Sequence, residues 1–163
     1  MKIKVKFISD LSNKIYDNGN LLQYATSGSS GFDIRAISIL HDGLEFELNN
    51  KTFILKQGER CLVKTGILTE FADGFELQIR PRSGLALKNG ITIVNSPGTI
   101  DSDYRGEIGV ILLNTSRDDF KISQGDRIAQ AVICITVKAN FDFTNNLDET
   151  QRSSDGFGSS GIC

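Results

Sequence analysis

Apolar and polar residues alternate along most of this chain. In the first eight residues Ile3, Val5 and Phe7 fall on one side of an extended segment, and Lys2, Lys4 and Lys6 on the other. The same two-residue period recurs over 32–36, 44–48, 53–55, 61–63, 75–79, 91–94, 108–113 and 128–137. Turn dipeptides separate these runs: Asp42–Gly43, Gln57–Gly58, Asp73–Gly74, Asn89–Gly90, Arg105–Gly106 and Gln124–Gly125. Many short strands with Gly-containing turns predict an all-β domain, a sandwich or jelly roll. One short helix is expected over 83–89, after Pro81 and stopped by Asn89–Gly90. The composition changes near Thr144, so the pattern predicts a domain over 1–143 and an arm over 144–163.

The 163 residues suit one domain with a sizeable core, and 39% apolar with 23% charged residues is a globular balance. A net charge of −2 argues against a broad surface for duplex nucleic acid. It leaves room for a small anionic ligand, because a local arginine cluster needs no net positive charge. Cys61, Cys134 and Cys163 are odd in number and widely spaced, which argues against a disulfide framework or zinc site and fits a reducing, cytoplasmic setting. The only histidine, His41, reads as a surface turn residue. The N-terminal lysines interrupt any signal-peptide core, and no apolar run approaches a membrane span of ~20 residues.

Five stretches are dense in polar chemistry. Residues 81–91, PRSGLALKNGI, set Arg82, Ser83 and Gly84 at a helix start, where free N–H groups and the helix dipole favour anions. The alternative there is an ordinary N-cap. Residues 95–107, NSPGTIDSDYRGE, form the tip of an expected hairpin, with Asp101 and Asp103 on one side of an extended segment. They suit a base or a metal; the alternative is a solvated acidic turn in which Arg105 pairs with Asp103 or Glu107. Gln130 lies in an apolar run and needs a partner, a ligand or a neighbouring strand. Asp33 follows a Gly/Ser loop. In the tail, Arg152 suits a terminal phosphate, Phe157 a flat base, and the glycines a phosphate-cradling nest.

In this order, 30–36 (SGFDIRA), 81–91, 98–107 (GTIDSDYRGE), 125–130 (GDRIAQ) and 152–161 (RSSDGFGSSG) closely resemble the five motifs of the trimeric deoxyuridine triphosphatases, over nearly the whole chain. The departures are small: Ser30 and Phe32 in the first motif, Ser153 and Ser160 in the last. The resemblance implies a jelly-roll homotrimer with three sites at subunit interfaces. It implies hydrolysis of dUTP to dUMP and pyrophosphate with Mg²⁺ on the triphosphate, keeping uracil out of DNA and supplying dUMP for thymidylate synthesis. Asp101 would be the base for the attacking water and Tyr104 the wall against a 2′-hydroxyl. Asn95, Gly98, Thr99 and Ile100, with Gly109, would hold uracil. Arg82, Ser83 and Gly84 would bind phosphates, Gln130 would hydrogen-bond the phosphates or the attacking water, and Asp33 would hold Mg²⁺ through its waters. Arg152 would meet the γ-phosphate, Phe157 would cover uracil, and Gly158, Ser159 and Ser160 would wrap the β and γ phosphates. Two other readings stay open at this point. A dCTP deaminase of the same fold typically needs a Glu beside the base, and a non-catalytic nucleotide-binding module would lack turnover.

Overall fold

The computed structural model describes residues 1–154. Among these residues the strands are β1 (Lys4–Phe7), β2 (Gly31–Arg35), β3 (Ser38–His41), β4 (Leu44–Glu47), β5 (Thr52–Leu55), β6 (Arg60–Lys64), β7 (Ile67–Glu70), β8 (Phe75–Arg80), β9 (Ile91–Ile93), β10 (Gly98–Ile100), β11 (Gly109–Asn114), β12 (Phe120–Ser123) and β13 (Arg127–Ile135). Two short helices, α1 (Asp10–Ile15) and α2 (Ser83–Asn89), complete the set with a 3₁₀ turn at Asp17–Gly19. The fold is the expected jelly-roll sandwich. A five-stranded sheet runs β4-β3-β6-β11-β9, a four-stranded sheet runs β10-β8-β13-β2, and β1-β7 and β12-β5 form two small ribbons.

Alternation of side chains builds the core between the two large sheets. In β11, Val110, Leu112 and Asn114 point inward while Gly109, Ile111 and Leu113 face the other way. Val63 on β6, Ile39 on β3 and Ile93 on β9 join them, and Ile34, Leu77, Ile79 and Ala131 answer from the four-stranded sheet. Each fully buried Ile or Leu contributes about 1.5–3 kcal/mol relative to exposure. In β13 the register shifts between Arg127 and Ala129. This extra residue lets Ile128 and Ala129 both face inward, and it sets Gln130 opposite Asp33 on β2 and Arg80 on β8.

Several elements differ from expectation. Strands β3, β7, β10 and β12 are additional to the predicted runs, and the run over 128–137 ends as a strand at Ile135. Helix α1 is also additional. Ser9 caps it with a reciprocal box in which the Ser12 side chain takes the place usually held by Glu or Gln. Segments 91–94 and 108–113 do pair, as β9 with β11, but their connection is no free tip, because β10 crosses to the other sheet and pairs with β8. His41 ends β3 and meets Phe53 edge-on at 5.3 Å between ring centres. Asp42 and Gly43, with φ of 49° and 77°, form the tight turn from β3 to β4. The segment over 40–50 is thus the hairpin at the edge of the five-stranded sheet.

Candidate active site

Where the chain leaves β9, it crosses from one sheet to the other and back, and a cavity of about 310 Å³ opens at the crossing. Leu62, Ile79, Ile93, Val110 and Ile111 supply apolar walls. Asn95, Gly98, Thr99, Ile100, Asp101, Tyr104, Glu107 and Gly109 line the rest, so among the described residues one protomer brings together those expected at base and sugar. β10 is fixed there by its register on β8, Gly98 against Ile79 and Ile100 against Leu77. The Ser96–Pro97 peptide that precedes it is cis.

After β10 the chain turns instead of extending. The Tyr104 N–H donates to the Asp101 carbonyl at 3.1 Å. Of the two aspartates expected on one side, only Asp101 lines this cavity. Asp101 and Asp103 do border a common groove with Asp73, Glu76 and Lys138. The Tyr104 hydroxyl donates to the Glu107 carbonyl at 3.1 Å. Arg105 donates to the carbonyls of Ser102 and Tyr104, not to Asp103 or Glu107. Glu107 instead accepts from the Gly66 N–H at 2.7 Å and lies 3.5 Å from Lys64. Lys64 also donates to Glu45 at 2.7 Å. That hydrogen bond raises the lysine above its ordinary value and lowers Glu45 below its own.

A second cluster gathers at the ends of β2, β8 and β13. Arg82 is the N-cap of α2, in extended conformation (φ −86°, ψ 126°), and no side chain caps the helix. The ordinary-cap alternative is therefore not realised. Ser83 and Gly84 are exposed in the first turn. Asp33 takes Arg82 Nε at 2.9 Å and Arg127 Nη1 at 3.1 Å, and Arg82 Nη1 donates to the Arg127 carbonyl at 3.1 Å. Two guanidinium groups thus share one carboxylate, leaving a local positive excess that suits phosphate oxygens. Gln130 finds its partner in the Pro81 carbonyl, 2.9 Å from Nε2, tying β13 to the turn before α2. A groove lined by Pro81, Pro97, Arg80 and Gln130 joins the two proline turns.

None of Asp33, Arg82, Ser83, Gly84 or Gln130 lines the 310 Å³ cavity. Arg152 is exposed. Phe157, Gly158, Ser159 and Ser160 lie outside the described residues. Among the described residues no three of His, Cys, Asp and Glu gather to hold a metal. Sequence reading passed over Arg127, though a charged residue opening an apolar strand was its signal. It also passed over Glu107 and Lys64 as supports of the cavity rim.

The model of the dUTPase family matches residues 17–161. The chain belongs to the dUTPase family. A deoxyuridine 5'-triphosphate nucleotidohydrolase of Treponema denticola is 48% identical over 153 residues, 94% of this chain and 99% of its own length. A Helicobacter pylori (strain Shi470) protein of the same name is 47% identical over 162 residues, 99% of this chain and 98% of its own. Among solved structures, a mutant dUTPase of Staphylococcus bacteriophage 80alpha with dUpNHpp shares the dUTPase fold, with a TM-score of 0.77 at 20% identity, over 99% of both chains. A mutant dUTPase of S. aureus phage phi11, described for its coordination of a structural Mg(II) ion, has a TM-score of 0.71 at 17% identity, over 91% of this chain and 100% of that one.

Proposed function

We infer that this chain hydrolyses dUTP to dUMP and pyrophosphate. The observation that carries the reading is the cavity at the sheet crossing, where Asn95, Asp101 and Tyr104 converge in a chain matched by the dUTPase model over 17–161. Uracil enters between the main chain of residues 95–100 and Gly109, and Asn95 adds its amide. Tyr104 stands against the deoxyribose. The Asp101 carboxylate takes the proton of the attacking water. The water oxygen bonds to the α-phosphorus, and the bond to the oxygen bridging α and β breaks with its electron pair on pyrophosphate. Arg82, Ser83, Gly84 and Gln130 receive the phosphates, with Ser83 near the α–β bridge where leaving-group charge develops.

Asp33 would hold a magnesium ion through its waters, and the ion would supply neutralisation of phosphate charge. The donor set fits an ion that keeps its waters. Asp33 is one carboxylate rather than a cage, and each of its oxygens has a second lone pair beyond those used by Arg82 and Arg127.

The assembly we propose is a homotrimer. The residues that would bind phosphate stand apart from the base and sugar cavity within one protomer, which suits a site completed by neighbouring copies. Beyond β13, Val137, Phe141, Phe143 and Leu147 are at least 82% exposed, an apolar series suited to covering by another copy. The arm over 144–163, carrying Arg152, Phe157, Gly158, Ser159 and Ser160, closes the site over triphosphate and base. Among the described residues no helix is long and apolar enough to cross a membrane, and the unpaired Cys61 and Cys134 support a cytoplasmic setting. A deaminase reading finds no available glutamate: Glu107 borders the cavity, but its carboxylate is held by Gly66 and Lys64.

Replacing Asp101 with alanine tests the mechanism. Turnover should fall by about 10³-fold or more, while calorimetry still finds dUTP binding. A variant with wild-type kcat would remove Asp101 as the base.

A further inference from the structure

Tyr104 is 44% exposed, yet its ring has a defined place. It folds back over its own loop, and its hydroxyl donates to the Glu107 carbonyl at 3.1 Å. Glu107 is itself anchored, by the Gly66 N–H on one side and Lys64 on the other. Between them lies Gly106. A Cβ there would fall inside van der Waals contact of the Tyr104 Oη and Cζ and 2.9 Å from its Cε2. The three nearest atoms it would meet all belong to that ring. The ring therefore lies where it does because residue 106 has no side chain.

We propose that Gly106 is a specificity-determining residue that acts through Tyr104. By leaving space for the ring, it fixes the width of the sugar slot, so that a 2′-deoxyribose enters and a ribose does not. The proposal rests on the reading of Tyr104 as the sugar wall. The ring is half-exposed and held by a single hydrogen bond, so a methyl group at 106 displaces the wall rather than unfolding the domain. The carbonyl of Glu107 and the anchors of its carboxylate are the other half of the device, since they hold the hydroxyl end of the ring.

The test is a double-mutant cycle read as the ratio of kcat/KM for dUTP to that for UTP, with thermal unfolding followed in parallel. Wild type, Gly106→Ala, Tyr104→Ala and the double variant are compared, and Gly106→Ser is a second replacement should the alanine variant fold poorly. The ratio should fall about tenfold or more in Gly106→Ala and in Tyr104→Ala, a size usual for steric discrimination. In the double variant the Gly106 change should add nothing, because no ring remains to displace. If Tyr104→Ala relaxes the ratio and neither Gly106 variant does, the proposal is overturned while the Tyr104 reading stands. If the two single effects multiply in the double variant, Gly106 acts otherwise than through the ring, and the proposal again fails. If Tyr104→Ala leaves the ratio unchanged, both fall.

Discussion

Tyr16 shows how one side chain substitutes for sheet pairing. It is fully buried. Its hydroxyl accepts the Arg35 N–H at 2.9 Å and donates to the Arg35 carbonyl at 3.3 Å, closing the end of β2 as a neighbouring strand would. Burial pushes the phenol well above its ordinary value of 10.0. The neutral form is thus favoured in the folded state, and the stability it brings is full below pH 10.0 and is lost as pH rises beyond. Tyr16→Phe should lose about 1–3 kcal/mol in urea unfolding at neutral pH, because a buried N–H is left unpaired. The variant should also lack the wild-type decline above about pH 10. Equal stability of the two proteins would show that Arg35 finds another partner. Nothing in the local pattern around Tyr16 marks it as buried; its role depends on a residue nineteen positions away. Burial likewise pushes the Cys61 thiol up to about 12, which suits a structural rather than reactive cysteine.

Among the elements, α2 is unusual in leaving its N-terminus without a side-chain cap. A sequence tuned for stability would place Ser, Asp or Asn at position 82. Arginine there gives up that contact and sets a guanidinium beside Asp33 and Arg127. Arg82→Ser should supply the missing cap while removing a proposed phosphate ligand. Unfolding free energy should stay within about 1 kcal/mol of wild type, the cap offsetting the lost ion pair, whereas kcat/KM for dUTP should drop by at least about 10²-fold. Near-normal activity would take Arg82 out of the phosphate site. The strands that the alternation made visible, such as β6, β8 and β11, are those with one face in the core. β3 (SILH) and β7 (ILTE) set two apolar residues side by side and so break the period, β10 (GTI) carries a single large apolar residue, and β12 (FKIS) alternates but was passed over. α1 spans under two turns and carries a serine where a capping box usually has Glu. In the same way, the end of β10 was legible as a motif but not as a turn: Asp101 and Asp103 share one groove as expected, but only Asp101 also reaches the cavity.

For the whole molecule, the motifs fall into two groups, with a groove between the two proline turns. The residues proposed for base and sugar line the cavity at the sheet crossing, and those proposed for phosphate sit around Asp33. Motif order along the chain made the family legible, but no sequence pattern tells whether the proposed trimer builds its sites from one copy or several. Light scattering should give a mass of three times the 17.9 kDa protomer. Serine at both Phe141 and Phe143 should shift that mass downward and reduce turnover together with it. A fully active monomer would contradict the shared-site account.

The central claim is tested most directly by pyrophosphate release, with Mg²⁺ present, from dUTP, dCTP, dTTP and UTP in parallel. Release from dUTP with stoichiometric dUMP, and from the other three slower by about 10²-fold or more, is the result the account predicts. Ammonia released from dCTP, or dUTP bound without pyrophosphate formed, would contradict it.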